Sequence, residues 1–204
     1  MFSRFVGRSG AKAISTKELI LQSAVEIIVE SGFSTFSAAS VARRAGLSTG
    51  ALFANFKNRA ELVGEMCRYL FDKLEKEFVN VGIDTESSPE DKVELLIDAV
   101  FSIYSDERMK SALELYGACR TDNELRKILA SINNERSPHH VALAEAISGA
   151  PQITSEQIEE FVHLVIFAVQ GMALDFLAGA NPRVEEMLHN YLVRLGREIV
   201  RSTP

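Results

Sequence analysis

Apolar positions along the chain recur at spacings of three and four, and no stretch sustains the period-two alternation of a strand. Ile20, Ala24, Ile27 and Ile28 form the stripe of a first helix that Ser15 or Thr16 can cap and Gly32 is placed to end, near Ser31. Ser37 caps a second helix over Ala38–Arg44, and Ser48 caps a very short third with Leu52 and Phe56 as its buried face. Asn58 and Glu61 read as a capping box opening a long fourth helix, with Leu62, Met66, Leu70, Leu74 and Phe78 as its stripe. After a loop over Asn80–Ser88, the run Ser88, Pro89, Asp91 starts a fifth helix that carries Val93, Leu96, Ile97, Val100, Phe101 and Tyr104. A sixth is expected over Glu107–Cys119 with Met109, Leu113 and Tyr116, and a seventh from Thr121 or Asp122 to about Ser148. Pro138 is expected to kink the seventh, and Gly149, Ala150 and Pro151 to end it. Thr154 with Gln157 opens an eighth helix through Phe176, and Asn181–Pro182 a ninth to about Val200. The fold class is all-α, with about nine helices.

The stretch Val41–Leu62 reads as helix, tight turn, short helix and the start of a long one. Ala42 and Ala45 let two helices approach closely, Gly46 suits a left-handed turn, and Leu47 points back into the core. Ser48 begins a helix whose first amides are free. Thr49, Gly50, Ala51, Ala54 and Asn55 are left facing outward, and small and polar residues beside a helix N-terminus suit a DNA major groove. This is a helix-turn-helix pattern.

The same residues, AGLSTGALFANFKNRAEL, resemble the recognition region of the TetR family of bacterial regulators, whose loose pattern is A-G-V-S-x-G-x-L-Y-x-x-F-x-x-K-x-x-L. Ala45, Gly46, Ser48, Gly50, Leu52, Phe56 and Leu62 match, and Leu47 matches conservatively. Phe53 stands where Tyr is usual and so lacks the hydroxyl that in the family often bonds a phosphate; Arg59 replaces a usual Lys and keeps its charge. The resemblance implies a flexible basic arm over residues 1–15, a helix-turn-helix DNA-binding domain over 16–60, and a larger helical effector-binding and dimerisation domain over 61–204. On this reading Ser48 and the neighbouring amides hold a phosphate, while Thr49, Gly50, Ala51 and Asn55 lie at the groove. Ala51 and Phe53 suit thymine methyls. Lys57 and Arg59 hold the backbone, and Ser37 does so by resemblance.

Charge changes the picture once it is divided. The net charge is −6, yet residues 1–59 hold eight basic residues against Glu18, Glu26 and Glu30, a net +5 that leaves −11 for the rest. A basic end on an acidic body fits one DNA-facing surface. The first ten residues lack the apolar core of an export signal, and no apolar run approaches the ~18 residues of a membrane span, so a cytoplasmic location with no membrane partner is expected. Cys67 and Cys119 fall in predicted helices among apolar neighbours and are expected to be buried, reduced thiols. No zinc-protease, redox or phosphate-loop motif is present. Adjacent His139 and His140 diverge on a helix, and Glu135 with His139 suits a surface ion pair better than a metal site. No catalytic residue, metal or cofactor is expected.

The eighth helix is apolar around most of its circumference from Leu164 to Ala173, so it must bury more than one face. The family resemblance implies that the last two helices form a four-helix bundle with a second copy about a two-fold axis, which suits a pseudo-palindromic operator on double-stranded DNA. Phe161, Val165, Ala168 and Phe176 are the candidate interface on the eighth helix, and Leu188, Tyr191, Leu192 and Leu195 on the ninth. Phe101, Tyr104, Tyr116, Phe167, Gln170 and Met172 are candidates to line an effector cavity. Gln170 is the most suggestive, because a buried amide needs partners. An apolar or aromatic effector that tilts the fourth helix, relieving a homodimeric repressor, is the expected mechanism. A chromosome-organising DNA-binding protein and a helical ligand-binding or adaptor protein remain as alternatives.

Overall fold

The computed structural model describes residues 14–79, 87–148, 153–179 and 181–201. Within them lie α1 (Thr16–Ser31), a 3-10 turn (Phe33–Thr35), α2 (Ala38–Arg44), α3 (Thr49–Phe53), α4 (Arg59–Val79) and α5 (Pro89–Ser105). These are followed by α6 (Glu107–Ala118), α7 (Asn123–Ser148), α8 (Ser155–Phe176) and α9 (Pro182–Arg201), and no strand occurs among the described residues. The expected basic arm before residue 14, most of the 80–88 loop, the helix-ending Gly149–Pro151 and the side chains of Phe78 and His139 lie outside them.

Local capping sets where the helices begin. The side chains of Ser15, Ser37, Ser48, Ser88 and Thr154 each accept a backbone N–H in the first turn of the helix that follows. Thr154 and Gln157 form the reciprocal box expected of them. At α4 the box is altered: Glu61 N–H donates to Asn58 Oδ1 at 2.9 Å, but the Glu61 carboxylate takes the N–H of Lys57 rather than that of Asn58. Asp122 caps α7 through the Leu125 N–H at 2.9 Å, so that helix starts at Asn123. Pro138 sits inside α7, which continues through it.

A continuous core runs from Ile20 on α1 to Val200 on α9. Helix α4 holds the two ends together: Leu62 and Met66 are buried near α1, and Leu70, Phe71 and Leu74 are buried further along, where α4 meets α5, α6 and α7. Helix α5 packs mainly against α9 and α8. Three acids spaced four apart on α5 meet bases on α9: Glu90 faces Arg201 at 3.5 Å, Glu94 pairs with Arg197, and Asp98 accepts from His189 Nε2 at 2.6 Å. This antiparallel ladder fixes the register of the two helices. Their contact is close because Gly196 lies there: a Cβ at that position would stand 2.5 Å from Val93 Cγ1 and 2.7 Å from Phe161 Cζ.

Two expectations change. Cys67 is fully buried, and burial pushes its thiol pKa up to about 12, but Cys119 caps the end of α6 and is only half-buried; both are free thiols. Contrary to the expectation of no membrane-length run, α8 is long and apolar enough to cross a membrane by length and composition, with only 22% of that stretch buried.

Candidate nucleic-acid interface and effector cavity

The turn between α2 and α3 is built by its sequence. Gly46 adopts φ +68°, the Leu47 N–H donates back to Ala42 O at 2.8 Å, and the Gly46 N–H reaches Arg43 O at 3.2 Å. This closes the end of α2 and turns the chain so that Ser48 Oγ accepts the Ala51 N–H at 3.1 Å. Leu52 is fully buried beneath α3, while Ser48, Thr49, Gly50 and Phe53 are exposed and Ala51 and Asn55 half-buried. Phe56, expected on the same helix face as Leu52, is buried too but lies beyond the helix end at Phe53. Ser48 takes up one first-turn amide, which leaves those of Thr49 and Gly50 facing out of the helix end.

The polar candidates differ in how free they are. Ser37 is the cap of α2 and exchanges hydrogen bonds with Ser40, whose N–H reaches Ser37 Oγ at 3.1 Å. Asn55 donates its side-chain amide to Ala51 O at 3.0 Å, so a base contact requires that bond to open. Lys57 is exposed. Arg59, expected at the DNA backbone, is exposed but also has partners within the chain. Its guanidinium lies over the rings of Phe33 and Phe36 at 5.8 and 5.9 Å and stands 4.0 Å from Asp122, so it links the 3-10 turn to the start of α7. A second link joins the same turn to α6: the Phe33 N–H donates to Glu114 Oε2 at 3.0 Å.

The basic end is less basic than its count. Arg44 is held by Glu30 at 2.5 Å and Glu26 at 3.1 Å, and Lys17 by Glu65 at 3.0 Å. Arg43 is the cation that the sequence reading passed over. It is exposed in the last turn of α2 and makes no ion pair among the described residues. The signal available was the neighbouring pair Arg43–Arg44, of which one member faces the α1 acids.

A cavity of about 600 Å³ opens among α4, α5, α6, α7, α8 and α9. Tyr104, Tyr116, Phe167 and Gln170 line it as expected; Phe101 and Met172 do not. Both are buried, and Phe101 packs edge-on against His189 at 5.1 Å, in the α5–α9 seam. Burial raises the phenol pKa of Tyr104 and of Tyr116, whose hydroxyl donates to Asn133 Oδ1 at 3.0 Å. The sequence reading missed the polar contribution of α7 and α4 to this wall: Glu75, Asn133, Arg136, Ser137 and His140. Glu135 pairs with Arg68 of α4 at 3.1 Å, its expected pairing with His139 lies outside the described side chains, and no metal-ligating cluster occurs among the described residues.

Most residues of the expected interface stripe are covered within the single chain. Phe161 and Val165 line the cavity, Leu192 is buried in the core, and Ala168, Phe176 and Leu188 pack partly against it, with Leu195 half-buried. Tyr191 alone of that set is exposed. The outward apolar face consists instead of Leu164, Phe167 (65% exposed), Leu174 and Leu177 with Val184, Met187 (64% exposed) and Tyr191. Gly171 lies in the same stripe, and nothing stands within 4 Å of where its Cβ would be. A helix apolar on all sides gives no sequence signal for which side turns outward.

A family model described as "Bacterial regulatory proteins, tetR family" matches residues 20–66, the segment from α1 into α4. That segment is similar to the TetR family of bacterial regulatory proteins. An uncharacterized HTH-type transcriptional regulator of Mycobacterium tuberculosis is 27% identical over 175 residues, covering 82% of this chain and 85% of its own length. Among solved structures, a transcriptional regulator from Rhodococcus sp. Rha1 superposes with a TM-score of 0.70 at 20% identity, covering 92% of this chain and 97% of that one. The multidrug binding protein EbrR, complexed with imidazole, superposes with a TM-score of 0.63 at 19% identity, covering 89% and 94%. These likenesses extend over the whole helical chain, beyond the matched DNA-binding segment, and show a TetR-like fold.

Proposed function

We propose that this regulator is a homodimeric repressor that binds a pseudo-palindromic operator through α3 and is released by a small apolar or aromatic effector. The DNA-binding domain is taken as residues 16–60 and the effector-binding and dimerisation domain as 61–204. The observation that carries the DNA reading is the Gly46 turn and Ser48 cap, which present Thr49, Gly50 and Phe53 outward over buried Leu52. Thr49, Ala51, Phe53 and Asn55 face base edges. Ser37, Ser48, Lys57 and the added Arg43 contact phosphates. Arg59, exposed beside Phe33, Phe36 and Asp122, contacts the DNA backbone from the junction with the start of α7.

The exposed Leu164–Leu177 and Val184–Tyr191 face supports dimerisation, since monomers rarely expose so continuous an apolar surface. The cavity supports effector binding, and the similar EbrR is a multidrug binding protein. Tyr116 on α6 lines the cavity while Glu114, on the same helix, holds Phe33, so movement of α6 on binding is felt at the α1–α2 connection.

Binding to DNA flanking the protein's own gene at about 50 and 200 mM salt, with a scrambled duplex of equal length, tests the reading. Tight, sequence-preferring binding that weakens steeply with salt is expected. Equal binding to both duplexes would leave the operator elsewhere or favour a chromosome-organising role, and no binding even at low salt would favour an adaptor. Phe167→Glu with Leu174→Glu should convert the dimer to a monomer in light scattering; an unchanged mass would place the interface elsewhere.

A further inference from the structure

The cavity's two ends differ in chemistry. Most of the wall is apolar, with Leu74, Ile97, Val100, Ile103 and Val165 among its residues. Where α4 meets α7, however, Arg136 lies over the Phe71 ring at 4.9 Å, with Nη1 at 3.3 Å from Glu75 Oε2. Its Nη2 stands 3.3 Å from His140 Nε2; an arginine only donates, so that imidazole nitrogen accepts. Beside it Ser137 Oγ and His163 Nε2 are 2.9 Å apart, and His163 Nδ1 donates to Glu159 O at 2.9 Å, so the serine hydroxyl donates to the histidine. Both Arg136 and Glu75 are largely buried, at 21% and 15% side-chain exposure, and Arg136 Nη1 is buried without a hydrogen bond.

Among the described lining residues, Arg136 and Glu75 are the only ones with a formal charge at neutral pH, and they cancel. A solitary guanidinium in an apolar cavity would select an anion. With Glu75 already against it, a ligand carboxylate would bring a second negative charge to a cation that is already neutralised, after leaving water for an apolar site. An ammonium would meet Arg136 itself. What the site lacks is one neutral acceptor for the Arg136 Nη1 proton, since leaving a buried donor unbonded costs free energy.

We propose that the effector is an uncharged, mainly apolar molecule whose single accepting oxygen, of the ketone, ester or ether class, lands on Arg136, and that Glu75 excludes carboxylates of the same shape. This rests on the effector reading above and adds the class of head group to it. The cavity lies within the about 300–1,000 Å³ typical of small-molecule sites.

The test uses the full-length protein and three probes that share a body: biphenyl, para-acetylbiphenyl and biphenyl carboxylate, with affinities from thermal shift and calorimetry. The ketone should bind about tenfold tighter than either of the others, a difference of about 1.4 kcal/mol. Arg136→Met should bring the ketone down to the level of the hydrocarbon and leave the hydrocarbon unchanged. Glu75→Gln should raise carboxylate affinity at least to that of the ketone. A wild-type protein that prefers the carboxylate overturns the proposal and leaves the cavity reading standing. Failure of all three probes, hydrocarbon included, overturns both. If Arg136→Met does not fold, Glu75→Gln decides alone: no gain in carboxylate binding refutes the exclusion.

Discussion

Gly196 offers a quantitative test of how the cavity wall is packed. Glycine in a helix interior is normally about 1 kcal/mol worse than alanine, so Gly196→Ala should stabilise α9 if nothing else changes. Here the new Cβ would lie 2.5 Å from Val93 Cγ1 and 2.7 Å from Phe161 Cζ, against the about 3.5–4.0 Å of an ordinary carbon contact. Each neighbour must therefore yield by roughly 1 Å. Both border the cavity, but Val93 is buried and β-branched, so it cannot rotate aside cheaply, whereas the half-buried Phe161 ring can swing into it. Overpacking of this kind costs about 1–3 kcal/mol, which outweighs the propensity gain and leaves a net loss of about 1 kcal/mol.

Gly117 on α6 is the control. Nothing stands within 4 Å of its virtual Cβ, so Gly117→Ala should gain about 0.5–1 kcal/mol. For a chain of this size each kcal/mol moves the melting midpoint by about 2–4 °C. The two variants should thus move it in opposite directions when scanned at one protein concentration, as an oligomer requires. Val93→Ala should relieve the Gly196→Ala clash and make the pair non-additive. A Gly196→Ala protein as stable as Gly117→Ala would refute the packing argument. If Phe161 does move inward, affinity for any cavity ligand should fall together with stability.

Asp106 caps α6 and bonds Arg108, whose guanidinium holds the carboxyl below its usual 3.8. A lowered pKa gives stability that is present above that value and lost as pH falls through the folded one. Asp106→Ala should therefore cost about 1 kcal/mol at neutral pH, with the gap to wild type closing below pH 3.8 in acid-denaturation curves. Cys67, pushed up to about 12 by burial, should resist an alkylating reagent at neutral pH in the native protein and react only on unfolding, whereas half-buried Cys119 should react sooner. Glu114→Ala removes the acceptor of the Phe33 N–H, so hydrogen exchange at that amide should quicken with little change in global stability. Exchange unchanged at Phe33 would discount α6 as a link to the DNA-binding segment.

Much of the fold was legible because its start signals are local. Ser37, Ser48, Ser88 and Thr154 cap the helices that the sequence assigned to them, and Gly46 takes the left-handed turn that its place demanded. Facing relations were not local. On α8 the stripe Phe161, Val165 and Ala168 and the stripe Leu164, Phe167 and Leu174 are equally apolar, and only the position of α5 and α7 decides which turns inward. The cavity's polar end depends on Arg136 meeting Glu75 across more than sixty residues of chain, a meeting that no spacing announces. The Glu90, Glu94, Asp98 ladder depends on partners on α9 about a hundred residues away, which no local spacing announces. For Arg59 the charge was legible, but its position over the rings of Phe33 and Phe36 was not.

The cluster of Arg44 with Glu26 and Glu30 carries one positive and two negative charges on an exposed part of α1 and α2. Counted as a residue, Arg44 adds to the attraction for a polyanion; counted as a cluster, the same spot repels one. A duplex lying along α3 therefore meets a negative border on that side, which limits how far it can slide toward α1. The cluster works as an electrostatic fence: replacing Glu26 and Glu30 by glutamine should widen the stretch of DNA protected from cleavage while blurring its register.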